Sequence, residues 1–257
     1  MRDKRLYRTE GIVLRRRDFD EADRLLTVLT RDRGKVTLLA KGARKIASRK
    51  APHVDLFRHV DLLVHQGRNF GIVSQAEAIE TFAGLGEDLQ GLAAAHYVAE
   101  LVDSLVIEGD DGEGVFELTA ATLHWLNDGG DPRLCQRYFE LHVLDLAGYR
   151  PQLYRCLGCD NWVEPAANRF DIAAGGLYCP SCCERSHEHG LAVTVGAQKV
   201  MRFLQRSQIE QCRRLVLSPP LHDELEALLG AYMRQVLDRA PKSVRFIEAV
   251  RALPAQA

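Results

Sequence analysis

Apolar residues recur at two different spacings along this chain, and the period changes near residue 85. Upstream, short runs rich in branched aliphatics read as strands: Gly11-Ile12-Val13-Leu14, Leu25-Leu26-Thr27-Val28-Leu29-Thr30, Val60-Asp61-Leu62-Leu63-Val64 and Phe70-Gly71-Ile72-Val73. In Val36-Thr37-Leu38-Leu39-Ala40-Lys41, side chains 36, 38 and 40 fall on one face and 37, 39 and 41 on the other. Arg31-Asp32-Arg33-Gly34-Lys35 has the makeup of a hairpin turn, with Gly34 free to take positive φ, and Gly67-Arg68-Asn69 marks a second turn. A long basic connection at 41–53 joins the third and fourth strands. Five strands in about 75 residues fit a small closed barrel of the OB type, with an SH3-like barrel as the competing arrangement.

Beyond residue 85 the spacing is helical. Leu89, Ala93, Tyr97, Leu101 and Leu105 share one stripe, and Phe116, Thr119, Leu123 and Leu126 share another. A third helix starts with Asp131 as N-cap and Pro132 in the first turn, and ends at Gly148. An irregular stretch at 149–192 interrupts the pattern, and helices resume near 195–207, 221–239 and 242–252, with Pro241 and Pro254 bounding the last. The fold class expected is α+β and multi-domain: an OB-type barrel, then an α-helical bundle with an inserted four-cysteine zinc-binding module. The expected domains are 1–82 (barrel), 83–150 (helical, first part), 151–190 (zinc insert) and 191–257 (helical, second part).

Composition changes this picture in one respect. The net charge of -1 hides a division: residues 1–80 carry 18 Lys/Arg against 11 Asp/Glu, whereas residues 81–135 carry 1 against 11. A basic module attracts polyanions and an acidic one repels them. No apolar run approaches membrane-spanning length, and Met1-Arg2-Asp3-Lys4-Arg5 leads into the first strand without a signal core, so a cytoplasmic protein without membrane contact is expected.

Cys156-Leu157-Gly158-Cys159 and Cys179-Pro180-Ser181-Cys182 are two C-x2-C pairs, the spacing of a zinc site whose four thiolates close a tetrahedron. One structural zinc ion held by Cys156, Cys159, Cys179 and Cys182 is expected, because four sulfurs leave no open position for a substrate water. Cys183, His187 or His189 are alternative fourth ligands, while Cys135 and Cys212 sit in regular patterns as ordinary buried residues. In the insert, Gly175-Gly176 signals a hairpin.

The candidate nucleic-acid contacts are Arg15, Arg16, Arg17, Arg24, Arg31, Arg33, Lys35, Lys41, Arg44, Lys45, Arg49 and Lys50. On a small barrel they can converge on one groove. The barrel's aromatics (Tyr7, Phe19, Phe57, Phe70, with Phe82 at its exit) are few, and most are expected in its core. Binding should therefore rest on phosphates, accept single and double strands, and weaken steeply with salt. Holding the backbone while leaving base faces free also suits strand annealing.

Gly11-Ile12-Val13-Leu14, Asp20-Glu21-Ala22-Asp23-Arg24-Leu25-Leu26-Thr27-Val28-Leu29-Thr30, Arg33-Gly34-Lys35-Val36 and Ala40-Lys41-Gly42-Ala43-Arg44-Lys45 closely resemble the RecO family of bacterial DNA repair proteins. The resemblance implies an OB domain, an acidic helical domain and a zinc-binding insert. It implies a nucleoid-associated recombination mediator that binds single- and double-stranded DNA and anneals complementary strands. Its implied partners are RecR, the C-terminal tail of single-strand-binding protein, and indirectly RecA. Lys199, Arg202 and Arg206 on one helix are candidates for receiving that tail.

Two other classes compete. A zinc-dependent hydrolase or nuclease lacks support, since there is no Walker lysine motif, no H-E-x-x-H and no carboxylate cluster beside the cysteines. An RNA-binding or transcription-associated zinc-ribbon protein would show itself in competition between RNA and DNA.

Overall fold

The computed structural model describes residues 6–67, 69–109, 112–186 and 190–253. Arg68 of the second turn, His187, His189 and Pro254 lie outside the described residues. The chain divides into two units, Met1–Gly129 and Gly130–Ala257.

In the first unit, β1 (Leu6–Phe19), β2 (Asp23–Thr30), β3 (Gly34–Ala40), β4 (His59–His65) and β5 (Gly71–Glu80) close a barrel in the order β1-β2-β3-β5-β4. It is an OB-type barrel, as the strand pattern predicts. β1 serves both sides of the closure: its first half pairs with β4, its second half with β2, and a bulge at Leu14 shifts the register between Val13 and Arg15. Such a bulge bends a long strand around a barrel. The closing contact is a short parallel pairing of Leu38 and Leu39 with Gly71 and Ile72. Val13, Leu26, Val28, Leu38, Ala40, Val60, Leu62, Val64 and Val73 fill the interior. The alternation in the third strand holds, with Leu38 and Ala40 inside and Thr37 and Lys41 outside. Gly34 takes φ +58° in the β2–β3 hairpin, a conformation that a side chain disfavours.

Two helices belong to the same unit. α1 (Leu89–Leu105) is capped by Asp88, which accepts hydrogen bonds from the Gln90 and Gly91 amides, and α2 (Glu113–Asn127) follows. Between them, the Glu108 carboxylate accepts from the Thr37 amide at 3.2 Å and the Gly109 amide donates to the Lys35 carbonyl, so the linker seals the open end of β3.

In the second unit α3 (Pro132–Leu146) begins where its signals place it, with Asp131 accepting from the Arg133 and Leu134 amides. The stretch expected to be irregular contains β6 (Asn168–Asp171), β7 (Gly176–Tyr178), α4 (Pro180–Ser186) and β8 (Leu191–Val193), with Gly175 at the β6–β7 turn. These strands are three or four residues long, too short for alternation to show in sequence. α5 (Val195–Arg206), α6 (Ile209–Cys212), α7 (Pro219–Leu237) and α8 (Ser243–Arg251) complete the unit. Arg137 and Glu140 of α3 form an ion pair that is 5% and 0% exposed. No helix among the described residues is long and apolar enough to cross a membrane.

Candidate nucleic-acid interface and metal centre

Strand register arranges one outer face of the barrel as a grid. Arg15 lies beside Thr27, which lies beside Thr37; Arg17 lies beside Leu25, then Leu39, then Ile72; and Phe19 lies beside Asp23. Lys41 follows Ala40, the last residue of β3, in an exposed turn. Arg15, Arg17, Leu25, Thr27, Thr37 and Phe70 line a shallow depression of about 320 Å³ on this face. The Arg15 side chain is 68% exposed, and Asp103 is 4.0 Å away.

Aromatics depart from expectation here. Phe57 and Phe82 are buried and Tyr7 packs on the core, but Phe19 is 40% exposed and Phe70 half-buried. The last two meet edge-on with ring centroids 6.5 Å apart, at the rim of the depression. Their positions at a strand end and just before a strand were the available signal, since ring positions there need not face inward.

The remaining expected cations have other neighbours. Arg16 pairs with Asp55 at 2.8 Å; Arg24 and Arg44 share Asp18, at 3.7 and 3.3 Å. Arg44 also donates to the Asp20 and Glu21 carbonyls, tying the 41–53 connection to the β1–β2 turn. Arg31 pairs with Glu10 and Glu117 and lies over the Phe116 ring. Arg33 stacks on Tyr7 at 4.0 Å and sits 3.5 Å from Asp32. The Lys35 side chain is 16% exposed, and its ammonium is held by the Asp103 carbonyl and carboxylate. Lys50 donates to the Val73 carbonyl at 2.9 Å, and its burial pulls the ammonium below the usual lysine range. Arg49 lines a different depression with Arg8, His53 and Asp61. Lys45 is exposed beside Ile46, which is fully exposed on the same loop. Arg15 and Arg17 thus share the grid face, with Lys41 exposed in the turn after β3, while Arg31 and Lys35 are engaged by acids of α1 and α2.

In the second unit, the Sγ atoms of Cys156, Cys159, Cys179 and Cys182 all lie within 4.8 Å of one another, and Cys159 and Cys179 are 3.9 Å apart. A tetrahedron with about 2.3 Å metal–sulfur bonds has edges of about 3.8 Å. The two knuckles are built locally. The Cys156 amide donates to the Asn161 carbonyl across a small hairpin, while Pro180 opens α4 so that the Cys182 and Cys183 amides both donate to the Cys179 carbonyl. Cys182, not its neighbour, places its sulfur in the group of four. A Cβ at Gly158 would meet the Cys182 Cβ and Sγ at 3.1 and 3.2 Å, so glycine permits the close approach of the knuckles. Burial alone would raise the Cys156 thiol, but amides of Cys179, Cys159 and Gly158 aimed at its sulfur bring it down to about 6. Four convergent sulfurs with one already favoured as thiolate suit a metal ion. By contrast, Cys135 and Cys212 are fully buried, and burial raises both thiols, Cys212 to about 11.

The family models for the N terminal and C terminal of recombination protein O match residues 1–82 and 86–245. The chain belongs to the RecO family. A DNA repair protein RecO from Roseiflexus sp. (strain RS-1) is 44% identical over 98% of this chain and 88% of its own length. One from Symbiobacterium thermophilum is 36% identical over 96% and 98%, and one from Dehalococcoides mccartyi (strain 195) 32% identical over 95% and 96%.

Of the RecO-family chain's three α5 cations, Lys199 and Arg206 are exposed, and Arg206 lies over the Tyr154 ring. Arg202 turns back, donating to the Leu153 carbonyl at 2.8 Å and to the Val163 carbonyl, and so pins the hairpin that carries the first knuckle. Gln205 holds the Pro151 carbonyl and Gln198 the Val163 carbonyl from the same helix.

Proposed function

We propose that this chain acts in DNA repair as a non-enzymatic recombination mediator, holding DNA by its phosphates across the outer barrel face that carries Arg15 and Arg17, with Lys41 contributing from the turn after β3. The observation that carries this reading is the grid itself. Cations stand along an open face whose floor offers the Thr27 and Thr37 hydroxyls, and two phenyl rings, Phe19 and Phe70, stand at its rim. Phosphates take the cations, and a base can lie on a ring without its pairing edge being occupied. Such a hold accepts single or double strands and favours annealing of complementary ones.

Lys45, Arg49 and Lys50 belong to a wider field on the barrel, and Arg16, Arg24, Arg31, Arg33, Lys35 and Arg44 contribute less because acids already stand beside them. Family membership supports the further roles: partnership with RecR, contact of the helical unit with the acidic tail of single-strand-binding protein, and help in loading RecA, in the cytoplasm at the nucleoid. The four cysteines would hold one zinc ion through thiolates alone, an ion that organises the local fold and offers no vacant position for chemistry. The test is DNA affinity of the full chain across a salt titration, for Arg15→Ala/Arg17→Ala beside the parent. Weaker binding with a shallower salt dependence is expected; identical curves remove this face from the account. Incubation with labelled DNA and magnesium should give no cleavage, and any turnover that copurifies with the chain overturns the mediator reading.

A further inference from the structure

The second unit carries an exposed aromatic cluster that the roles above do not use. Tyr154 and Trp162 flank the first cysteine knuckle on opposite strands of its small hairpin, where Arg155 bridges to Trp162 and the Val163 amide donates to the Tyr154 carbonyl. Their rings lie 5.6 Å apart, tilted by 44°. Arg206 stacks on Tyr154 at 4.2 Å, and Arg202 sits 5.0 Å from Tyr154 and 5.6 Å from Trp162. Lys199 and Arg206, seven apart, share one side of α5, and Phe203 beside them is 40% exposed.

Cohesion does not explain this arrangement. The hairpin is fastened to α5 through backbone carbonyls held by Gln198, Arg202 and Gln205, and Tyr154 adds a hydroxyl bond to the Arg202 carbonyl. Trp162 takes no part in those bonds, and it is 53% exposed, whereas Trp125 in the first unit is 1% exposed. A tryptophan that served only to fill space would be buried like Trp125. Nearby charge is mixed but mainly positive: Arg155, Lys199, Arg202 and Arg206 against Asp160, 3.6 Å from Arg155, and Glu164. An indole face exposed among cations fits a base stacked on the ring and phosphates on the guanidinium and ammonium groups.

We propose that Trp162 and Tyr154, with Arg206 and Lys199, form a second contact for single-stranded nucleic acid, on the unit that carries the cysteines. The proposal rests on the reading of this chain as a DNA-binding protein and gives it a place for a second strand. Duplex DNA, with its bases already stacked, has no free face to offer here.

The chain has two tryptophans, so intrinsic fluorescence reports the site directly. Titration of the full chain with oligo(dT) should quench the emission of Trp162 and leave that of buried Trp125. Trp162→Ala should abolish the quenching and weaken oligo(dT) binding about tenfold, the loss of one stacked base, with duplex affinity unchanged. Trp162→Phe should restore the affinity without the signal, which separates stacking from a folding defect. Arg15→Ala/Arg17→Ala should bind more weakly yet still quench at saturation. If quenching persists while that barrel variant binds like the parent, the barrel reading fails and this one stands. If the barrel variant weakens binding but oligo(dT) leaves Trp162 emission unchanged, or Trp162→Ala binds oligo(dT) like the parent, this proposal is overturned alone. Quenching by hexa-aspartate and not by oligo(dT) also overturns it, since the face would then receive an acidic peptide.

Discussion

Removing Arg15 and Arg17 tests whether the barrel works by charge. Each phosphate neutralised contributes roughly 0.7 to the slope of log affinity against log salt on single strands, and about 0.9 on duplex. Both side chains are exposed on adjacent rows of one face, and the Asp103 carboxylate, 3.2 Å from Lys35, lies 4.0 Å from Arg15. Arg15→Ala/Arg17→Ala should therefore flatten the slope by about 1.4 on single strands and about 1.8 on duplex. Between 50 and 200 mM salt, 1.4 in slope is roughly a sevenfold change, so the variant's deficit should be about seven times larger at the low-salt end. Fluorescence anisotropy of a labelled oligonucleotide at five or six salt concentrations measures this. Lys35→Met is the internal control: that ammonium is already neutralised by Asp103, so its removal should move the slope by less than about 0.3. An unchanged slope in the double variant, or an equal change in the control, refutes the assignment of phosphates to this face.

Lys35→Met should instead lower stability by about 1–2 kcal/mol in a denaturant melt, because it breaks a partly buried bond to the Asp103 carbonyl and removes the nearer of two cations from the Asp103 carboxylate. Glu140→Ala should destabilise the chain by roughly 1–3 kcal/mol, since it takes the paired carboxylate from a buried guanidinium whose field also reaches Glu226; a loss well under about 1 kcal/mol would mean that water reaches the guanidinium. Elemental analysis should find one zinc per chain, and a strong chelator or Cys156→Ser/Cys159→Ser should lower the melting temperature of the second unit, the metal contributing on the order of 10 kcal/mol locally. Burial holds the His96 and His142 imidazoles below their ordinary 6.5, so the unfolded chain takes up protons first. Stability is therefore fully present above pH 6.5 and is lost as pH falls from there to the folded values, by less than about 1.4 kcal/mol per pH unit for each ring. Melts at pH 7 and pH 5 should show the drop, and His142→Gln should shrink it.

What the linear chain determined by itself was whatever depends on neighbours in sequence. Strand alternation placed Leu38 and Ala40 inside the barrel and Thr37 and Lys41 outside it, and two C-x2-C turns singled out the sulfurs that meet. Asp131 and Pro132 marked the start of α3 because capping is satisfied within one turn. Tertiary structure alone decided what each outward residue meets. Lys35 alternates outward just as Thr37 and Lys41 do, yet it is engaged by Asp103, 68 residues away. Arg202 has the spacing of a surface cation, yet it spends its donors on the carbonyls of Leu153 and Val163. Cys182 and Cys183 are interchangeable in composition, and the direction of α4 after Pro180 chooses between them. Period and spacing are properties of the backbone, whereas a long flexible cation settles on the strongest acceptor that the folded chain brings within reach.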